Sequence, residues 1–292
     1  MVVVDNDSAD GTRELVESEF PDARVVASAN HGFSHANNQA LATVDARYVL
    51  FLNPDTEILS GTLEDLVRRM DAAPEVGLAG AEQVLGNGQL WPSMRRFPNA
   101  LRVVMEALGS ERFPFGASWL GTRELDRRRY AEEFDLDWTS GSFMLARREA
   151  LESAGWLDER FFLYSDEVDL ALRIKRAGWV VRHLPYMRIV HHYGKQGFNP
   201  RTFAQYALSN RLYARKHFSP LHRLAFVGAL ALYYGSRMPL YRLLHRSDPG
   251  AAESMKRALA CLLGWAAPPY EPLPLTAVRP RESSVRDAEL TG

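Results

Sequence analysis

Arg47 to Leu59 reads RYVLFLNPDTEIL, and the fold turns on how this stretch is parsed. Tyr48 to Leu52 is a continuous apolar run, as expected of a strand buried on both faces, and it breaks at once into the polar turn Asn53-Pro54-Asp55-Thr56. The Asp55 carboxylate is thereby placed at the carboxyl end of a core strand. In open α/β sheets that edge is where ligands bind, and a short carboxylate there can hold a divalent cation against a phosphate. Asn-Pro-Asp-Thr also satisfies a plain turn that needs no ligand, so the neighbouring segments decide.

Upstream, Val2 to Val4 form a strand whose carboxyl end delivers Asp5 and a polar loop into a helix from Arg13 to Glu19. Ser8, Asp10 and Gly11 are accounted for by capping and turn chemistry; the leading Asp5 is not. Arg24 to Ala27 is a second short strand, followed by Asn30-His31-Gly32-Phe33 and a helix with Ala36, Ala40, Leu41 and Val44 at helical spacing. After Thr56, an amphipathic helix marked by Leu63, Leu66, Val67 and Met70 leads to a strand from Val76 to Gly80. Repetition of strand, polar loop, helix and strand predicts an α/β fold of parallel strands with crossover helices. Between Val84 and Asp135, glycines and prolines interrupt the pattern, as in loops and short helices laid over a site.

Order returns at Trp138-Thr139-Ser140-Gly141-Ser142, which leads into a strand from Phe143 to Ala146 and a helix starting near Arg148. Ser165 can then cap a helix running to about Ala177, with Gly178 as its stop. Asp166 and Glu167 fall in its first turn, where acids offset the helix dipole by about 0.3–1 kcal/mol each with no catalytic role. The same position keeps a carboxylate ionised, as a general base must be. Asp169 can pair with Arg173 four residues on. Trp179 to His183 and Arg188 to His192 read as two further strands, and adjacent histidines on a strand face opposite ways, so only one of His191 and His192 points inward.

The chain has 292 residues, 46% of them hydrophobic, enough for a substantial core, and a net charge of -1. Its one cysteine, Cys261, cannot form an internal disulfide, and no basic-then-apolar signal segment opens the chain; a reducing, cytoplasmic setting is the expectation. Charge is nevertheless uneven: Arg201 to Arg246 holds eight Lys or Arg and no Asp or Glu. Helical segments there, Arg201 to Phe218 and Leu221 to His245, interleave Tyr206, Tyr213, Tyr233, Tyr234 and Tyr241 with arginines. Aromatics beside basic residues suit the headgroup region of an anionic membrane, at the inner face of the plasma membrane; a helical subdomain packed on the core gives the same composition. The longest apolar run, Leu224 to Tyr234, is well short of the ~20 residues that span a bilayer. No motif supports nucleic-acid binding. Three regions result: 1–200, a basic helical region 201–265, and a tail 266–292 whose prolines and scattered charge suit disorder.

Six segments in this order, VVVDNDSADGT, NHGFSHANNQAL, YVLFLNPDTEI, DWTSGSFMLARREAL, GWLDERFFLYSDEVDLALRIKRAGW and IVHHYG, resemble the family 2 inverting glycosyltransferases of the GT-A fold, especially their rhamnosyltransferase-like branch. The resemblance covers most of Val2 to Gly194. It implies a Rossmann-like, mostly parallel sheet with flanking helices, followed by the helical segment. Asp5 looks like the acid that contacts the nucleotide, with Asn30, Gly32 and Phe33 lining the same pocket. Asn53-Pro54-Asp55 stands at the family's metal-binding Asp-x-Asp, so that Asp55 would hold Mg2+ or Mn2+ on the donor diphosphate; Asn53 replaces the first acid, which should weaken the site. His191 stands where related enzymes supply a further metal contact. Trp138 and Gly141 fall where acceptor and donor sugar meet. Aligning on Val168-Asp169-Leu170 places Glu167 at the family's base, with Asp166 as the alternative because the order of acids is swapped. Arg95 and Arg96, in WPSMRRFP, match a family segment without an assigned role.

The implied activity is metal-dependent, inverting transfer of a sugar, rhamnose by branch resemblance, from a dTDP- or UDP-sugar donor to a glycan or polyprenyl-linked acceptor of the cell envelope. The family normally carries a further strand and helix ahead of the strand that ends in Asp5. On that ground the alternative is a shortened, non-catalytic member that binds membrane or a partner transferase.

Overall fold

The computed structural model describes residues 1–110, 120–192, 199–244 and 249–270. The expected tail beyond residue 270, Tyr193-Gly194 of IVHHYG and the expected helix end at His245 lie outside them. In chain order the strands are β1 (Val2–Asp5), β2 (Arg24–Ala27), β3 (Tyr48–Leu52), β4 (Thr56–Ser60), β5 (Val76–Val84), β6 (Leu90–Trp91), β7 (Met94–Arg95), β8 (Phe134–Asp135), β9 (Trp138–Thr139), β10 (Phe143–Arg147) and β11 (Val180–His191). The helices are α1 (Thr12–Glu19), α2 (Phe33–Leu41), α3 (Leu63–Ala72), α4 (Ala100–Ala107), α5 (Arg148–Ala154), α6 (Asp166–Arg176), α7 (Pro200–His217), α8 (Pro220–Leu244) and α9 (Pro249–Leu263).

The main sheet has the order β3-β10-β5-β11-β4, with β6 on β5 and β8 on β11. β5 and β11 pair in parallel, and β10 runs antiparallel to both β3 and β5, so β3, β5 and β11 share one direction. β1 and β2 form a separate parallel pair. The α/β expectation holds, with three corrections to its details. β3 is the end strand of the main sheet and only Phe51 of it is buried, because a neighbour lies on one edge alone. Thr56 to Ser60, expected to lead straight into a helix, forms β4 against the end of β11. The two expected strands around Leu184-Pro185 are one, β11, whose register on β5 shifts between His183 and Arg188; the proline sits at the irregularity, where no ladder hydrogen bond is required of it.

Helices cover both faces of the sheet. On one face, Leu78, Met144 and Val181 pack with Leu151 of α5 and Leu170 and Ile174 of α6. On the other, Leu66 and Met70 of α3 meet Val76, Phe143, Leu145 and Ile189. α3 starts where its sequence says it should: the Thr62 Oγ1 accepts from the Asp65 amide (3.1 Å), and Glu64 and Asp65 occupy the first turn.

α4, α7, α8 and α9 share a second core containing Val103, Ala207, Phe226, Tyr234 and Met255. Of the two readings open for the tyrosines, helix packing accounts for Tyr213, Tyr233 and Tyr234, while Tyr206 is 45% exposed. Tyr213 and Tyr234 are each 1% exposed, and Tyr233 holds the Arg237 guanidinium 3.8 Å over its ring. These rings pack helices together. The exposed apolar groups of α8 are leucines instead.

Candidate active site

α7 is tied to α6 through one buried carboxylate. Asp169, fully buried, accepts from Arg173 Nε (2.8 Å), Lys216 Nζ (2.6 Å) and His217 Nε2 (2.6 Å). Burial alone would raise its pKa, but these partners bring it below the usual carboxylate value. Lys216 also reaches Asp158 (2.6 Å). The helical region is thereby fixed against the acids at the start of α6. Only the Asp169–Arg173 spacing was visible in sequence, since His217 arrives from 48 residues on, with Lys216 beside it.

The start of α6 is unusual. Ser165 occupies the N-cap position with φ of 61°, and its side chain makes no capping hydrogen bond, contrary to expectation. Tyr164, at φ of 67°, is left-handed as well. Two successive non-glycine residues in that region store strain of order 1–3 kcal/mol each, a feature that gathers at functional sites. Their effect is to present Asp166 and Glu167 to a cleft.

That cleft, about 340 Å3, brings together most of the expected site. Asp166, Glu167, Asn53, Asp55 and His191 all line it. Phe33 and Gly141 also line it. Asn53 is held by its amide on the Ser142 carbonyl (3.0 Å), and its own carbonyl accepts from Thr56 Oγ1 (2.7 Å). His191 comes from the end of β11, where it is paired with Thr56 of β4; its Nε2 lies 3.3 Å from Asp55 Oδ1. His191 is buried and His192 exposed, as strand alternation required.

Asp5, Asn30, Gly32 and Trp138 do not line this cleft. Asp5 and Asn30 stand at the carboxyl ends of β1 and β2, where Asp5 Oδ1 accepts from the Ser8 amide (3.1 Å) and Asn30 Oδ1 accepts from Asn6 Nδ2 (3.1 Å). Gly32, at φ of 97°, lies so close to the backbone of Phe162 that a Cβ would collide with the Phe162 carbonyl oxygen; the Phe33 amide donates to that same carbonyl (2.8 Å). Glycine is therefore required both by backbone conformation and by contact. Trp138 donates from Nε1 to the Arg96 carbonyl (3.0 Å) and opposes Arg95 in the β7–β9 pairing.

The two acids differ in state. Burial raises the Asp166 pKa well above the carboxylate range, and the charge of Glu167 pushes the same way. Burial also raises Glu167, but the hydrogen bond from Asp166 and the charge of Arg95 pull it back. Of the two, Asp166 is pushed more strongly toward its protonated form, and the hydrogen bond between them favours the ionised form of Glu167. In the same cleft, burial lowers the His191 pKa against the raising effect of Asp55, so His191 is neutral at neutral pH. One carboxylate beside one neutral imidazole is a donor set that Mg2+ or Mn2+ can accept. Among the described residues no group of three or more His, Cys, Asp or Glu side chains could hold a metal, so oxygens from a ligand would have to complete the shell.

An α/β domain with flanking helices, whose cleft gathers Asp55 and His191 with a carboxyl pair, is the class that fold and site define. Residues 1–155 match glycosyl transferase family 2, and the chain belongs to that family. It is 30% identical over 204 residues to the N-acetylglucosaminyl-diphospho-decaprenol L-rhamnosyltransferase of Mycobacterium tuberculosis, a match spanning 66% of each chain. It is 28% identical over 200 residues to rhamnosyltransferase WbbL of Escherichia coli, covering 64% of this chain and 71% of that one. Among solved structures, the mannosyltransferase PcManGT of Pyrobaculum calidifontis, in complex with GDP-Man and Mn2+, aligns over 90% of this chain and 76% of its own with a TM-score of 0.52 and 18% identity; that likeness supports the fold. The family match ends before α6, so the roles of Asp166 and Glu167 rest on geometry and on the sequence resemblance.

Proposed function

We propose that the chain transfers a sugar, rhamnose by its relatives' names, from a nucleoside-diphosphate donor to a lipid-linked glycan acceptor, with inversion and with a divalent cation. The observation that carries this reading is the gathering of Asp55, His191 and the Asp166–Glu167 pair in one cleft. Asp55 and His191 would hold the cation, which when bound would supply positive charge to the departing diphosphate. Glu167, ionised, accepts the acceptor hydroxyl's proton as that oxygen bonds to the anomeric carbon. The bond from that carbon to the diphosphate oxygen breaks with its electron pair leaving on the diphosphate. Attack opposite the leaving group inverts the anomeric centre. Asp166, neutral, orients Glu167 through its hydrogen bond. Residues 1–200 would form the transferase domain and 201–265 the helical region that carries it to the membrane. The test is transfer from dTDP-rhamnose and UDP-sugars to N-acetylglucosaminyl-diphospho-prenol, with product anomer read by NMR; retention of configuration, or no turnover with Mg2+ or Mn2+, would overturn it.

The exposed face of α8 supports placement at the membrane. No described helix is long and apolar enough to cross a bilayer. Leu221 and Leu224 are 74% and 71% exposed, and Leu232, Leu240 and Leu243 continue that side of the helix at helical spacing. Exposed Arg223 and Arg242 flank them. Such a stripe rimmed by cations fits the surface of an anionic bilayer. Cosedimentation with phosphatidylcholine vesicles should rise when phosphatidylglycerol is included. The double variant Leu221→Glu, Leu224→Glu should lower it by roughly tenfold or more; unchanged binding would remove α8 from the interface.

A further inference from the structure

Arg95 is a cation without a counter-ion. Its Nε is buried with no hydrogen-bond partner among the described residues, and no carboxylate of those residues forms an ion pair with it. Its guanidinium stands 5.5 Å over the Trp138 ring, a contact that favours the charge modestly and leaves the Nε donor unused. A second cation, Arg123, is bridged to Arg95 through the backbone and adds repulsion, while the Glu106 charge gives partial relief. Desolvation accordingly lowers the Arg95 pKa. Taking a guanidinium out of water without an anion is unfavourable, and the Trp138 ring and the Glu106 charge offset it only in part.

Position says which anion is missing. Arg95 does not line the cleft that contains Asp55 and His191, where the donor diphosphate belongs. It lines instead a separate cavity of about 260 Å3 with Glu124, Asp135 and Asp137, and it is near enough to Glu167 for its charge to act on that carboxylate. An anion bound there would belong to the molecule whose hydroxyl Glu167 deprotonates. Planar, bidentate donors suit phosphate oxygens. Resting on the proposed reaction with a lipid-linked acceptor, we infer that Arg95, backed by Trp138, binds the phosphate that joins the acceptor sugar to its lipid.

The test uses the full chain in EDTA, which removes metal-dependent binding at the donor site, and titrates geranyl diphosphate and, separately, inorganic pyrophosphate by calorimetry. Wild type should bind geranyl diphosphate more tightly than pyrophosphate. Arg95→Gln should weaken the former by roughly 10- to 100-fold, the range for losing a charge-assisted hydrogen bond, while Arg95→Lys retains most of it. Because an unpaired buried charge is removed, Tm of Arg95→Gln should hold or rise, and its binding of UDP or dTDP with Mn2+ should match wild type. Equal geranyl diphosphate binding by wild type and Arg95→Gln would overturn the inference. So would a lowered Tm with both ligands lost, which would make Arg95 structural, or pyrophosphate binding as well as the prenyl compound, which would make this a free-phosphate site. Failure of wild type to bind either nucleotide would count against the transferase reading instead, and leaves the Arg95 comparison readable.

Discussion

Glu167→Gln is expected to lower turnover by roughly 10²–10⁴-fold, the usual contribution of a positioned general base, while leaving nucleotide binding unchanged. The amide keeps the size of the side chain and can still accept from Asp166, but it cannot take a proton. Asp166→Asn should lose far less, because the asparagine amide still donates to Glu167. The pH profile separates the two roles. Glu167 works only when deprotonated, and burial holds its pKa above the ordinary glutamate value. Activity is therefore lost as pH falls through that raised value, with the acid limb of kcat/KM lying higher than for an exposed glutamate. Asp166→Ala removes the hydrogen bond that lowers Glu167, so the limb should move to still higher pH; Asp166→Asn should leave it in place. A limb that stays put in Asp166→Ala, or full activity in Glu167→Gln, would transfer the role of base to another group.

How far the sequence could carry this site depends on the kind of signal each residue gives. An apolar run broken by a polar turn marks a strand's carboxyl edge wherever the strand lies, so Asp5, Asn53 and Asp55 were legible. Period-two alternation decided between His191 and His192. The first-turn acids of α6 were legible as a pattern, but their presentation was not: Tyr164 and Ser165 adopt left-handed conformations that neither residue type announces. β4 was missed because four of its five residues are exposed, so no alternation records its pairing, which depends on where β11 ends. The break expected at Pro185 was a local rule applied correctly and overridden by pairing on either side of it. Strand direction is outside the reach of pattern altogether; β10 reads like its neighbours and runs the opposite way. The tyrosines of α7 and α8 show the limit of composition, since a ring beside an arginine looks the same on paper at a membrane surface and within a helical core.

Asp55→Ala is expected to abolish the increment that Mn2+ adds to nucleotide binding and to lower turnover by roughly 10²–10³-fold, the scale of losing one electrostatic stabiliser of the departing charge. The reason lies in how little else the cleft offers. Among the described residues lining the cleft, Asp55 is the one carboxylate besides the Asp166–Glu167 pair, and a neutral imidazole contributes no charge of its own. His191→Ala should therefore act more mildly than Asp55→Ala, weakening the Mn2+ increment without erasing it. Asn53 supplies the complementary experiment. As the position where the family resemblance expects a second acid, it can be converted by Asn53→Asp with almost no change of shape, and a second carboxylate beside Asp55 should tighten the response to Mn2+. Calorimetric titration of UDP and dTDP into each variant, with and without Mn2+, reads all of these together. If Asp55→Ala keeps the full Mn2+ increment, the cation is held elsewhere and the pairing of Asp55 with His191 is an ordinary surface contact. If Asn53→Asp strengthens the increment and Asp55→Ala removes it, the turn after β3 is the cation site, and the substituted asparagine sets how tightly it binds.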